Sequence, residues 1–164
     1  MKFVRAEEGV PAAGYEKGTV RYYDEQGNVR IRFEGTKAWR CNNPGNIKHV
    51  KGGFGMQNGG IGKALSMVVF PTEEIGRQAL ITRLRTGDFP ALTVTEFPSI
   101  WDKPEEEKYR RYLLKKTGLA PDRTLGSLTK EEFECFRNAI ETMEGWKDGK
   151  RGGRNSMKSN IFRR

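Results

Sequence analysis

The chain has 164 residues, and its 30 Lys and Arg outnumber its 21 Asp and Glu to give a formal charge of +9. This excess favours polyanionic partners such as nucleic acid, an anionic membrane surface or the anionic bacterial wall. The length suffices for one hydrophobic core, and we expect a monomer. No apolar run is long enough to span a bilayer or to form a signal-peptide core, so we expect neither membrane insertion nor signal-dependent export.

Residues 1–38 are predicted to form an N-terminal β-hairpin extension. Apolar and polar residues alternate over residues 20–23 and 29–33, and the sequence between them, Asp-Glu-Gln-Gly-Asn, is typical of a turn.

Residues 39–48, with the sequence WRCNNPGNIK, carry three carboxamides within five positions: Asn42, Asn43 and Asn46. Pro44 and Gly45 interrupt helices and strands, and Asn side chains bond nearby backbone, so one interpretation is an elaborate turn. The other interpretation is a rigid loop whose amides face a polar, uncharged ligand such as an N-acetyl sugar. The Gly-rich stretch from 52 to 62 that follows lacks the ending of a phosphate loop and predicts flexible β turns.

Beyond this stretch the chain is predicted to be mainly helical. Thr72 can cap a helix that ends at Gly87. Thr93 and Glu96 have capping-box spacing for a short helix that Pro98 interrupts. A further helix begins near Pro104 and ends at Gly118.

Thr129 and Glu132 form a second capping-box pattern, which opens the last helix. Its apolar face consists of Phe133, Phe136, Ile140 and Met143. Residues 148–164 are rich in Gly, Lys, Arg, Ser and Asn and are predicted to be a basic, flexible tail.

Metal and cofactor sites are not expected. Cys41 and Cys135 are too far apart in sequence for a metal-site spacing, and His49 stands beside basic residues. The two thiols either form one disulfide or remain free and buried.

Several short motifs between residues 39 and 147 resemble a lysozyme-like module found in phage virion proteins and in effectors of bacterial type VI secretion. They are Trp39-Arg40 with Asn-Asn-Pro-Gly-Asn-Ile, then Gly60-Ile61-Gly62, Phe70-Pro71 and Glu144-Gly145-Trp146. Cys41 stands where the family commonly has a polar residue. The resemblance implies peptidoglycan cleavage by a catalytic domain over residues 39–147. Because the Asn loop precedes the helices, the lysozyme-like order is predicted to be circularly permuted.

Glu144 is the first candidate for the catalytic acid. At about 100° per residue, Glu144 falls on the apolar side of the last helix, whereas Glu131, Glu134 and Glu141 fall on the other side and are predicted to be solvated. An acid held against apolar groups has its pKa raised from about 4.3 toward about 6, as a glycosidase acid requires. The alternative is a helix-end charge that reaches water or pairs with an Arg such as Arg40.

Glu34 is the competing candidate, because it directly precedes Gly35 and the Trp39 loop; its plainer interpretation is a charge at the end of a strand. No Asp or Glu lies between Gly35 and Thr72. The second carboxylate of a retaining lysozyme is therefore missing from this region, which leaves one acid with a positioned water or with attack by a hydroxyl of the sugar itself.

The sequence thus predicts an α+β, mainly helical lysozyme-like domain with a small β region. Glu144 and Glu34 are the predicted catalytic residues, and the predicted substrate-binding residues are Arg40, Asn42, Asn43, Asn46, Gln57 and Tyr109. The expected substrate is peptidoglycan, cut by an antibacterial effector or phage-derived enzyme that other proteins carry from the bacterial cytoplasm to a target cell's periplasm or wall, with an immunity protein as a further partner. Two alternatives remain: a basic nucleic-acid-binding protein that uses its tail, and an inactive phage structural module.

Overall fold

The computed structural model of the protein describes residues 2–9 and 18–153. Helices and strands are mixed, which confirms the α+β class. The chain divides into two compact units, which we call the sheet unit (residues 1–79 and 145–164) and the helical unit (residues 80–144).

The described part of the sheet unit contains a six-stranded sheet with the order β5-β4-β1-β2-β3-β6. β1 runs parallel to β4, and the other neighbours are antiparallel. The predicted hairpin is confirmed as β2 and β3, in which Val20 lies opposite Arg32 and Tyr23 opposite Val29. The strands are β1 (Phe3–Glu8), β2 (Val20–Asp24), β3 (Val29–Phe33), β4 (Gly62–Ala64), β5 (Met67–Val69) and β6 (Lys150–Gly153).

The last strand corrects the predicted flexible tail, because β6 pairs with β3 and places Arg151 opposite Arg32. The chain reaches this edge through a close backbone contact: a Cβ on Gly149 would lie 2.4 Å from the Phe33 carbonyl oxygen. The sheet therefore joins strands from all three predicted segments, 1–38, 39–147 and 148–164. Residues 154–164 lie outside the described residues, so the tail prediction stays a prediction there.

The predicted helices form, and most of them have the predicted caps; the short helix Phe97–Trp101 instead has Glu96, not Thr93, at its N-cap and no side-chain cap. The hydroxyl of Thr72 accepts a hydrogen bond from the Ile75 backbone N–H at 3.1 Å, and Thr129 and Glu132 form a reciprocal capping box. Gly118 ends its helix in the left-handed conformation with φ of 67°. The helices are α1 (Lys37–Arg40), α2 (Phe54–Gln57), α3 (Glu73–Arg85), α4 (Phe97–Trp101), α5 (Glu106–Thr117) and α6 (Lys130–Glu144).

Three local predictions are wrong. Pro98 lies in the first turn of α4, where its missing N–H needs no partner, so it begins that helix rather than interrupting it. Glu141 is buried and pairs with Arg137 one turn earlier, so it is not a solvated charge. The Gly-rich stretch holds the helical turn α2 as well as β turns.

Each unit has its own core. In the helical unit, α4, α5 and α6 pack their apolar faces together with the end of α3; fully buried members include Leu80, Leu84, Phe97, Leu113, Phe136 and Ile140. In the sheet unit, one cluster lies on β1, β2, β4 and β5, and a second contains Val68, Phe70 and Ala79.

Gly76 lets the first turns of α3 lie directly on the Asn loop. A Cβ at this position would be 1.9 Å from the Asn42 carbonyl oxygen and 3.0 Å from Cδ of Pro44. Because a backbone carbonyl cannot move aside as a flexible side chain does, only glycine allows this contact.

We predict that Gly76→Ala destabilises the protein by about 1–3 kcal/mol through overpacking, although alanine in an open helix would be favourable. The measurement is urea denaturation followed by circular dichroism. The control is Glu74→Ala, an exposed change in the same helix, which should stay within about 0.5 kcal/mol of the native protein. A Gly76→Ala protein as stable as the control would contradict the contact.

Candidate functional site

Glu144, the last residue of α6, lies among aromatic donors of the helical unit. Its Oε1 accepts hydrogen bonds from Trp101 Nε1 at 3.2 Å and from the Tyr109 hydroxyl at 3.1 Å. Gly145 follows with φ of 86°, so the helix ends there and the backbone turns away. The structure thus brings together two of the predicted site residues, Glu144 and Tyr109.

Core packing fixes the two donors. The Trp101 ring stacks on Phe97 with centroids 5.2 Å apart, and Phe97 also meets the edges of Tyr109 and Phe136. Since these rings belong to the helical core, the donor atoms are positioned before any ligand binds.

The two donors define the chemistry of the carboxyl group. Burial raises the pKa of Tyr109, and the charge of Glu144 raises it further, so the phenol keeps its proton and donates. An indole N–H can only donate. Oε1 of Glu144 is therefore held as an acceptor, and a proton on this carboxyl group belongs on Oε2.

Glu34 has the surroundings of a surface residue. It follows β3 with a φ of 59°, its side chain is 58% exposed, and its carboxylate lies 3.2 Å from Lys150 Nζ. These contacts support its interpretation as a charge at the end of a strand.

The amides of Asn42 and Asn43 are buried and bonded within the sheet unit. Asn43 donates to the carbonyl oxygens of Ile47 and Val68 and accepts from the Ile47 N–H, all at 2.9 Å. Asn42 donates to the Phe70 carbonyl oxygen and accepts from Arg32. The contacts of these two residues support the turn interpretation of the loop.

Three other predicted binding residues also lie in the sheet unit. Arg40 donates to the carbonyl oxygens of Gly18 and Thr36, and the exposed Gln57 donates to that of Gly52. Asn46 has a φ of 48°, and its N–H donates to the Asn43 carbonyl oxygen. Their roles in substrate binding stay predictions.

The sheet unit also contains a pocket of about 260 Å³ that the sequence does not predict. Its charged and aromatic lining comprises Phe3, Arg32, Trp39, Glu73, Trp146, Asp148 and Arg151. Trp146 belongs to the Glu-Gly-Trp motif, and this motif was a sequence feature that pointed to a residue of the pocket. The arginines come from β3 and β6, whose pairing is not evident from local sequence.

Both cysteines are free thiols. Cys41 is buried, which raises the pKa of its thiol to about 12, whereas Cys135 is exposed and corrects the prediction that both are buried. Across residues 2–9 and 18–153, no three His, Cys, Asp or Glu side chains are grouped to hold a metal ion. In the same part of the chain, no helix is long and apolar enough to cross a bilayer.

No protein-family model matches the sequence, and no curated protein matches it significantly.

We predict that Asn43→Ala lowers the free energy of unfolding by about 2–3 kcal/mol, because the Ile47 N–H and the Val68 carbonyl oxygen lose a buried partner. Thermal and urea denaturation would measure this loss. Asn58→Ala is the matched control, since the side-chain amide of Asn58 donates to the Phe54 carbonyl oxygen within its own helical turn. Equal stability of the two variants would contradict a structural role for the Asn43 amide.

Proposed function

We propose that the protein cleaves the glycan strands of peptidoglycan, with Glu144 as the acid that protonates the departing oxygen. The observation that carries the proposal is the carboxyl group held by Trp101 and Tyr109 at the end of α6. A general acid needs a fixed orientation, and two donors on one oxygen supply it.

The motifs that resemble a lysozyme-like module support the same function. In the structure, α6 ends at a glutamate that glycine follows, and the Asn loop and short strands precede α3 in the chain. We propose a circularly permuted lysozyme-like fold on this basis. The positive charge of the chain fits an anionic wall polymer.

The proposed reaction uses one acid. Glu144 protonates the glycosidic oxygen, the bond from that oxygen to the sugar C1 breaks, and positive charge develops on the sugar ring. Attack at C1 by water, or by a hydroxyl of the same sugar, completes the reaction, and the attacking group returns a proton to the Glu144 carboxylate. Glu34 is the other candidate carboxylate, and Glu34→Gln is therefore compared with Glu144→Gln.

The proposed setting is an antibacterial effector or a phage-derived enzyme. Such a protein needs a delivery protein to reach the wall, and a toxin needs an immunity protein in the producing cell. We therefore propose a delivery protein and an immunity protein as partners of this chain.

We predict that Glu144→Gln abolishes wall cleavage while the protein stays folded, because glutamine has the same shape but no acidic proton to transfer. Mass spectrometry of fragments released from purified peptidoglycan measures the cleavage, and the sugar ends distinguish hydrolysis from internal attack. Glu134→Gln, an exposed change on the same helix, is the control and should be fully active.

Two results would contradict this assignment. Full activity of Glu144→Gln would exclude Glu144 as the acid, and loss of activity only in Glu34→Gln would transfer that role to Glu34. If the native protein leaves walls intact and binds nucleic acid tightly with a steep salt dependence, the nucleic-acid alternative holds instead.

We also predict that Tyr109→Phe extends wall cleavage to higher pH. The Tyr109 hydroxyl donates to Glu144 and so favours its ionised form; without this donor the carboxyl group keeps its proton at higher pH, where a general acid is still needed. The measurement is the upper limb of the pH–activity profile, with Tyr112→Phe as the control on the same helix. An upper limb that moves to lower pH, or does not move, would contradict the role of this hydrogen bond.

A further inference from the structure

Two guanidinium groups in the pocket of the sheet unit lie beside the same aromatic ring. The guanidinium carbons of Arg32 and Arg151 lie 4.8 Å and 5.0 Å from the centroid of the buried Trp39 ring. β3 and β6 bring them there as directly opposed residues.

Neither guanidinium group has a carboxylate at ion-pair distance among residues 2–9 and 18–153. Arg32 donates to two neutral acceptors, the Trp39 carbonyl oxygen and Asn42 Oδ1, each at 2.6 Å. Burial lowers the pKa of Arg32, and the charge of Arg151 acts in the same direction, whereas Tyr22, Asp148 and Glu73 act in the opposite direction. Because no carboxylate of the described residues reaches ion-pair distance, these two acids offset the two neighbouring guanidinium charges only in part, and a bound anion would offset them further.

The rest of the lining favours an organic carboxylate. Phe3, Trp146 and Pro71 provide apolar surface, and Asp148 provides an acceptor for a neighbouring N–H group. Glu73 adds little free charge, because it already pairs with Arg77 at 2.7 Å. A volume of about 260 Å³ lies below the usual range of about 300–1,000 Å³ for ligand pockets, so it suits a chain end rather than a run of sugars.

We propose that this pocket binds the terminal carboxylate of a wall peptide stem, with the two guanidinium groups on the carboxylate and Asp148 on the preceding amide N–H. This inference rests on the proposed function, in which peptidoglycan is the substrate. It assigns recognition of the carboxyl end of the peptide stem to the sheet unit. Arginine suits this task because its planar donors match the two oxygens of a carboxylate.

The test compares two small probes on the full chain: N-acetyl-D-alanyl-D-alanine and the same peptide with a C-terminal amide. We expect the acid to bind in calorimetry and to shift the indole N–H signals of Trp39 and Trp146, and the amide to bind about tenfold more weakly or not at all. Equal binding of acid and amide, or no binding of the acid at millimolar concentration, would overturn the proposal. Tighter binding of inorganic phosphate than of the acid would also overturn it.

Variants identify the site. Arg151→Gln should lower the affinity for the peptide acid about tenfold, because one charge-assisted contact is lost. Arg111→Gln, a change at an exposed residue, should leave this affinity unchanged. Unchanged affinity in a folded Arg151→Gln protein would exclude this pocket as the binding site. If that variant does not fold, the comparison of peptide acid and peptide amide on the native chain tests whether the carboxylate is recognised. Glu144→Gln should bind the acid normally, so failure of wall cleavage and failure of this inference are separate results.

Discussion

The half-buried guanidinium group of Arg32 organises the sheet unit around it. It donates to the Trp39 carbonyl oxygen and to the Asn42 side chain, and it lies over the rings of Tyr22 and Trp39. Asn42 in turn donates to the Phe70 carbonyl oxygen, so one cation connects the hairpin, the Asn loop and the end of β5. Removing this guanidinium group would leave the buried Asn42 Oδ1 without its donor, which makes the arrangement hard to alter in parts.

The elements that the sequence predicts well are those decided by local chemistry. The capping boxes of Thr129 and Glu132, the left-handed Gly118 and the turn between β2 and β3 each need only residues within a few positions. The side of α6 that carries Glu144 follows from helical periodicity for the same reason. Its two donors were not predicted as a pair, because Trp101 comes from another helix and only the tertiary packing brings it to Oε1.

The elements that the sequence does not reveal depend on distant backbone contacts. β6 has almost no apolar pattern, and it forms because Gly149 and Gly35 permit a crossing that any side chain would block. The same crossing brings Arg151 opposite Arg32, so the pocket could not be inferred from composition. The Asn loop shows a related limit: its residue types fit a turn and a ligand site equally well. Only the burial and hydrogen bonds of Asn42 and Asn43 in the folded chain favour the turn.

The Glu144 arrangement restricts which single-acid mechanisms are reasonable. In the proposed reaction, a carboxyl group whose Oε1 stays bonded to Trp101 and Tyr109 would give up and regain its proton on Oε2 without changing orientation. Both steps of an internal attack need this reversal, because the group that protonates the departing oxygen must next accept a proton from the attacking hydroxyl. Since residues 36–71 contain no carboxylate to act as a nucleophile, a carboxyl group fixed in this way is better suited to acid–base exchange than to a covalent intermediate.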